Sequence, residues 1–225
     1  HMMSTTTIQK VLLPATNENK PIEHHYMGYK AIVTNETEYQ QQTHALRHKV
    51  YCEELKWVPE NSSRLEFDEM DAISTHFAVI NPENQVVACF RISDNRTKWL
   101  VERHFLHTLS RGVEQHKNLN TIEGTRLAID PEYRVKDIHH GVSVLDMIIS
   151  IMVDYTRNHM NKSNLLFTIT PMLGILLKRR KMNLKQLGNI VTMEDGCKVV
   201  TYLGDLTQMS TDYPQYQTIT LSRHY

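Results

Sequence analysis

The amino-acid sequence predicts an α/β or α+β protein built on a mixed sheet. Three observations carry that prediction. Strand-like and helix-like stretches follow one another in the order strand, helix, antiparallel strands, helix, strand, helix, strands, as expected of helices packed on a sheet. Two hairpin signals, Asn81-Pro82-Glu83-Asn84 and Glu194-Asp195-Gly196, each sit between runs of β-formers. Residues 142–159 form a long stretch rich in Ile, Met and Leu, apolar enough for a largely buried helix, and a short apolar strand at 165–170 follows it.

The individual elements follow from local chemistry. Residues 29–34 alternate loosely and make a first strand. Asn35 and Glu38 have the spacing of a capping box, which opens a helix running to about Lys56. Tyr39, Leu46, Val50 and Leu55 lie near one stripe of that helix, and Arg47 and Tyr51, four apart, share a face. Pro59 and Asn61-Ser62-Ser63 break it and begin a loop that carries an acidic cluster. Residues 75–80 and 86–92 are the two strands of the first hairpin. Residues 93–120 form a mixed connection with a short helix at 101–109. A strand at 121–129 ends at Asp130-Pro131, and Pro171 suits the first position of a helix that ends near Met182. Strands at 189–193 and 198–203 flank the second hairpin signal, and residues 217–221 add a last strand. Residues 1–24, polar and Pro-interrupted, read as a flexible N-terminal arm before a single domain at 25–225.

The chain has 225 residues, with 40% hydrophobic and 22% charged residues and a formal net charge of zero, so its bulk charge gives no reason to expect nucleic acid. The three cysteines, Cys52, Cys89 and Cys197, lack metal spacing and read as reduced thiols, which with the lack of a secretory signal suggests a cytoplasmic location. No apolar stretch approaches the roughly 20 residues of a membrane span. His139-His140 and His24-His25 have no carboxylate or cysteine at metal spacing, so no metal is expected. Nucleophile-elbow, phosphate-loop and dinucleotide motifs are missing.

The most informative feature is an ordered series of cations, aromatics and carboxylates: Arg47, Tyr51, Trp57, Glu66, Asp68, Asp71, Arg91, Glu123 and Arg126. Carboxylates and arginines at strand edges are the groups that hold a charged co-substrate and move a proton. The order resembles that of the acyl-homoserine lactone synthases and their relatives, the N-acyl amino acid synthases and exosortase-associated acyltransferases, over roughly residues 29–205. Tyr51 stands where the lactone synthases usually have phenylalanine. The resemblance implies a GNAT-like (acetyltransferase-like) fold with a mostly antiparallel central sheet flanked by helices. In that fold, the strands at 121–129 and 165–170 splay to admit a pantetheine arm, and the helix at 142–159 starts at its phosphate.

On this resemblance Glu123 is a general base, acting directly or through one water, because an α-ammonium must shed a proton before its nitrogen can attack a thioester. A low-dielectric cleft raises a carboxyl's pKa and makes it a better base. Glu123 and Arg126, three apart on a strand, face opposite sides unless a bulge intervenes; the plainer reading is an ordinary ion pair. A backbone amide near Ala128 would stabilise the thioester oxyanion. Glu66, Asp68 and Asp71 would recognise the ammonium of the acceptor with help from Arg47 and Arg91, or else form a solvated acidic turn. Tyr51 and Trp57 would wall the acceptor pocket, or simply fill the core.

The phosphate turn departs from the coenzyme A pattern. It reads Arg134-Val135-Lys136-Asp137-Ile138-His139-His140-Gly141-Val142-Ser143, with one glycine and an aspartate that repels phosphate. A pyrophosphate cradle is poorly supported, whereas the single phosphate of an acyl-carrier-protein arm can be met by Arg134, Lys136 and the amides near Gly141 and Ser143. The basic run Lys178-Arg179-Arg180-Lys181 suits docking of an acidic carrier protein, or alternatively a solvated helix end. The function expected is transfer of a fatty acyl group from acyl carrier protein to the amine of a small amino-acid-like acceptor, with no tightly bound cofactor. S-adenosylmethionine and a free amino acid such as tyrosine are both open as acceptors. The rivals are an acyl-coenzyme A-dependent N-acetyltransferase and a non-catalytic acyl-ligand-binding protein.

Overall fold

The computed structural model describes residues 9–12, 22–34, 37–135 and 137–211. The predicted cap at Asn35, the predicted strand at 217–221 and Lys136 lie outside these residues. The chain divides into two compact units, each assembled from separate segments.

The first unit takes the described residues up to Arg91, then Arg126–Tyr155 and Thr211. Its strands are β1 (Gln9–Leu12), β2 (Ile22–Tyr26), β3 (Tyr29–Thr34), β4 (Thr75–Ile80), β5 (Val86–Ser93, as far as Arg91) and the end of β6 (Thr121–Ile129), neighbours in that order. Successive pairs from β1 to β4 are antiparallel. The stretch expected to be a flexible arm therefore contributes β1 and most of β2. Met27 (φ 51°) and Gly28 (φ 83°) close the β2–β3 turn in the left-handed conformation that two-residue hairpins favour. A side chain at Gly28 would also meet Pro82 Cγ at 3.2 Å.

Helix α1 (Thr37–Arg47) passes directly into a π-helical segment, His48–Glu54, rather than continuing as α-helix to Lys56. Tyr39, Leu46 and Val50 from this pair of segments bury against Ile32, Ala78, Ile80, Val86, Cys89 and Ala128, with Tyr51 and Leu55 at the margin. The long apolar helix is α3 (Val144–Asn158), preceded by a small hairpin, β7 (Asp137–His139) and β8 (Val142–Ser143). Val144, Met147, Ile148, Ile151 and Met152 of α3 are fully buried, as their composition demands.

The second unit comprises Ile92–Thr125 and Thr156–Ser210. The short helix expected at 101–109 is α2 (Leu100–His104) followed by a 3₁₀ turn, Leu106–Thr108. The start of β6 pairs in parallel with β9 (Asn164–Ile169) through three positions ending at Glu123 and Leu166, although both strands run on. β9 lies antiparallel to β12 (Lys198–Asp205), which also pairs with β10 (Asn183–Gln186) and β11 (Val191–Thr192). β10 had no counterpart in the sequence reading. Between β9 and β10 runs α4 (Pro171–Arg179), with Pro171 in its first turn and the Thr170 hydroxyl accepting the Leu173 N–H. Trp99, Val101, Val113, Leu166 and Leu187 form the core of this unit.

Candidate active site

Each functional side chain in the first unit is positioned by a different element. The π-helical segment and the end of α1 carry Tyr51 and Arg47, β5 carries Arg91, and β6 carries Arg126. The loop that follows Trp57 carries Glu66, Asp68 and Asp71. The loop is pinned to α1 by the Glu66 N–H donating to the His44 carbonyl at 3.0 Å. It folds on itself through the Asp68 N–H to Asp71 Oδ2 (2.8 Å) and the Met70 N–H to Asp68 Oδ1 (3.0 Å).

The structure gathers three arginines and three carboxylates into one balanced network. Arg47, 1% exposed, donates to Glu66 Oε1 (2.8 Å) and grips both Asp71 oxygens (2.6 and 3.2 Å). Arg91, equally buried at 1%, donates through Nη1 to Asp68 Oδ1 (2.6 Å) and Asp71 Oδ1 (2.9 Å). Arg126 completes the ring through Glu66 Oε1 (2.8 Å) and Asp68 Oδ2 (3.5 Å). The simple acidic turn in water is thus ruled out for Glu66 and Asp71, and the predicted pairing with Arg47 and Arg91 is what occurs. Fork-shaped guanidinium–carboxylate contacts of this kind are the strong ones.

Burial disfavours charge on Asp71, but the hydrogen bonds and field of Arg47 outweigh it, and its carboxyl sits well below the usual range. Glu66 and Asp68 are likewise lowered: burial opposes their charge, and their arginine partners overcome it. For Arg47 burial is the largest influence and opposes the charge, yet Asp71 and Glu66 raise its pKa above the ordinary value. These groups are therefore ions near neutral pH, with Asp68 the most open of the carboxylates at 24% side-chain exposure.

Around this network lie residues that sequence reasoning missed. His76 donates from Nε2 to the Asp71 carbonyl (2.8 Å), and burial lowers its pKa. Met70, 1% exposed, sets its sulfur 3.9 Å from Arg91 Nη2. No motif singles out either residue, because their role comes only from the folding of the acidic loop.

Tyr51 and Trp57 come together as predicted, with ring centroids 6.1 Å apart. Trp57 is 37% exposed, so it is not a core residue. The Arg126 guanidinium lies 5.2 Å from the Tyr51 ring centroid, and the Tyr51 hydroxyl donates to the Leu127 carbonyl at 2.6 Å. Arg126 itself has φ 55°, so β6 contains the kind of mid-strand irregularity that the Glu123–Arg126 spacing called for. The Ala128 backbone, the expected oxyanion donor, hydrogen-bonds the buried Cys89 thiol.

In the second unit Glu123 is 2% exposed and accepts the N–H groups of Leu100 (2.6 Å) and Val101 (2.8 Å) at the start of α2. Both of its oxygens are thus engaged by backbone amides. Amide donors of this kind stabilise a carboxylate's charge, an influence opposite to the low-dielectric effect expected from sequence.

The described residues assigned to phosphate binding have internal partners. Arg134 is bound by Glu54 in a two-pronged pair (2.7 and 2.5 Å). The Gly141 N–H goes to Asp137 Oδ2 (3.0 Å), and the Ser143 N–H goes to Asp146 Oδ2 (2.7 Å). Ser143 and Asp146 cap α3 reciprocally, so a carboxylate occupies the helix start where an anion was expected. The basic run lies at the end of α4. Lys178, Arg179 and Lys181 are exposed, and Arg180 caps the Leu176 carbonyl at 2.8 Å, so both the docking and the helix-end readings keep support. Among the described residues, no group of His, Cys, Asp or Glu is placed to hold a metal ion, and no helix is long and apolar enough to cross a membrane.

A mixed, largely antiparallel sheet with flanking helices and a buried arginine–carboxylate network defines a GNAT-like protein, and solved structures agree on the fold. The chain is similar to the AHL synthase LasI, at 18% identity and a TM-score of 0.68, over 83% of this chain and 94% of that one. It is also similar to BjaI, a CoA-dependent acyl-homoserine lactone synthase solved with SAM and isopentyl-CoA, at 13% identity and a TM-score of 0.65, over 81% and 80%. FeeM, an N-acyl amino acid synthase from uncultured soil microbes, is similar at 12% identity and a TM-score of 0.57, over 87% and 97%. Residues 31–212 match the autoinducer synthase family model, and the chain belongs to that family. An acyl-homoserine-lactone synthase of Aeromonas hydrophila is 30% identical over 112 residues, 50% of this chain and 53% of that protein. The chain thus matches about half the length of such curated relatives.

Proposed function

We propose that this protein is an N-acyltransferase that moves a fatty acyl group from a carrier-protein thioester to the α-amine of an amino-acid-like acceptor, forming an acylated signal. The arginine–carboxylate network, in a chain of the autoinducer synthase family, is the observation that carries this reading. Three cations neutralise three anions there, so the network can accept a zwitterion or sulfonium-bearing acceptor without leaving a bare charge. Asp68, the most open carboxylate, would meet the incoming ammonium, and the half-exposed Trp57 would wall its side.

In the transfer, the amine nitrogen forms a bond to the thioester carbonyl carbon, and collapse of the adduct releases the carrier thiol. Glu123 takes the ammonium proton, directly or through one water, before attack. The oxyanion is met by a β6 amide at Ala128. SAM as acceptor is supported by likeness to BjaI, and an amino acid by likeness to FeeM. The 134–143 turn, with one glycine and an aspartate that repels phosphate, favours a carrier-protein donor over a coenzyme A pyrophosphate. The exposed cations of the Lys178–Lys181 run would then dock that acidic partner.

The test is mass spectrometry of purified enzyme with acyl carrier protein or acyl-coenzyme A as donor, and SAM or amino acids as acceptor. A lactone with release of methylthioadenosine identifies a signal synthase, and an N-acyl amino acid identifies the other branch. Turnover with acetyl-coenzyme A and none with the carrier protein would support the N-acetyltransferase rival. Acyl binding without any product would make the chain a binding protein.

A further inference from the structure

Two irregular backbone segments of the first unit meet at one hydrogen bond. The first is the π-helical segment after α1, where the Leu55 N–H reaches back five residues to the Val50 carbonyl at 2.9 Å. Isolated π turns inside helices are uncommon and mark places where an ordinary α-helix would put a side chain elsewhere. The second is the bend in β6, where Arg126 holds a left-handed φ of 55° that a bulky, non-glycine residue seldom adopts. Tyr51, within the π segment, donates its hydroxyl to the carbonyl of Leu127, the residue next to the bend, at 2.6 Å.

The other backbone groups at the bend are also met by side chains. The Cys89 thiol donates to the Arg126 carbonyl at 3.8 Å and is hydrogen-bonded by the Ala128 backbone. The Arg126 side chain is held by Glu66 at 2.8 Å and covered by the Tyr51 ring at 5.2 Å. A strained backbone persists only where its surroundings fix it from several sides, and here those sides are Tyr51, Cys89 and Glu66. Phenylalanine would keep the ring over Arg126 but would leave the Leu127 carbonyl without its donor.

We propose that Tyr51 is a positioning residue: its hydroxyl, together with the Cys89 thiol, latches the β6 bend and so fixes where the Arg126 guanidinium and the Ala128 amide point. The latch is a feature of the fold, whereas its kinetic consequence rests on the acyl-transfer reading above. Tyr51 touches the reaction only through β6 and contributes no proton to it.

Two readouts test the latch. Amide hydrogen exchange over peptide 121–130 of the unliganded protein needs no substrate. Tyr51→Phe is expected to speed exchange there at least fivefold while leaving peptide 144–155 unchanged. Equal exchange in both proteins overturns the latch. In turnover, Tyr51→Phe is expected to lower kcat by about tenfold, since small misplacements of reacting groups are costly, with the acceptor KM within about twofold. A raised acceptor KM at unchanged kcat makes Tyr51 a pocket wall and also overturns the proposal. Cys89→Ser, which keeps a donor for the Arg126 carbonyl, is expected to exchange like the native chain, whereas Cys89→Val is expected to match Tyr51→Phe. Should the native protein transfer no acyl group at all, the functional reading falls and the exchange data alone decide the latch.

Discussion

Replacing Asp71 by asparagine perturbs the network at its most connected carboxylate. Asp71 binds Arg47 through two contacts, Arg91 through one at 2.9 Å, and the Asp68 N–H at 2.8 Å. Asparagine keeps the volume and one acceptor oxygen but turns an NH₂ group toward a guanidinium donor. Two arginines that are each 1% exposed would then share too little negative charge. Removing one partner of a buried ion pair typically costs about 3–5 kcal/mol, against about 0–1 kcal/mol for an exposed pair. Urea unfolding at pH 7, followed by circular dichroism, is expected to show a loss in the upper range. The same substitution should flatten the acid limb of stability. Folded Asp71, Asp68 and Glu66 all hold their protons less tightly than unfolded carboxyls, whose pKa is about 4. The stability they contribute is complete above that value and is lost as pH falls through their lower folded pKa values. The Asp71→Asn protein should lose less on going from pH 6 to pH 3 than the native one. A destabilisation under about 1 kcal/mol at pH 7, with an unchanged acid limb, would refute the view that these charges act as a buried unit.

Glu123→Gln should lower the acyl-transfer rate by about a hundredfold or more and weaken α2 by about 1 kcal/mol, because the Leu100 and Val101 amides lose a charged acceptor; steady-state rates beside thermal melts separate the two effects. Arg134→Ala should leave the thioester KM within about threefold, because that arginine is committed to Glu54 in an exposed pair; a large rise in KM would restore it to the donor site. Reversing Lys178 and Arg179 to glutamate should raise the KM for acyl carrier protein by about tenfold at low salt, with little change for a pantetheine thioester, as expected of charges that steer a partner. Iodoacetamide should label Cys197 before Cys52 and Cys89 in peptide mapping, because burial pushes the Cys89 thiol up to about 12 and both Cys52 and Cys89 are enclosed.

Much of the architecture was legible because it follows from short-range rules. The hairpin at Asn81-Pro82-Glu83-Asn84, the buried apolar helix and Pro171 at a helix start appear where turn chemistry, periodicity and ring geometry put them. The strand Gln9–Leu12 was not legible, because its four residues, two polar and two apolar, do not alternate and its place depends on pairing with β2. The π segment was read as plain α-helix, since a change from four-residue to five-residue hydrogen bonding leaves no mark in apolar spacing. The candidate site divides in the same way. The order of Arg47, Asp68, Asp71 and Arg91 gave away the network, but not which arginine grips which oxygen. That Asp137 and Asp146 fold back onto the amides of Gly141 and Ser143 was not legible either, because those contacts are made by the turn's folded geometry.

Residue types and their spacing were enough to specify most of the helices and strands and the inventory of charges, because propensity, turn chemistry and periodicity act over a few neighbours. Which charges neutralise one another, where Glu123 spends its oxygens, and how a tyrosine hydroxyl holds a bent strand depend on segments from 19 to 76 residues apart in the chain. A hydrogen bond or ion pair is decided within about 3 Å, and only the folded chain brings such distant groups that close.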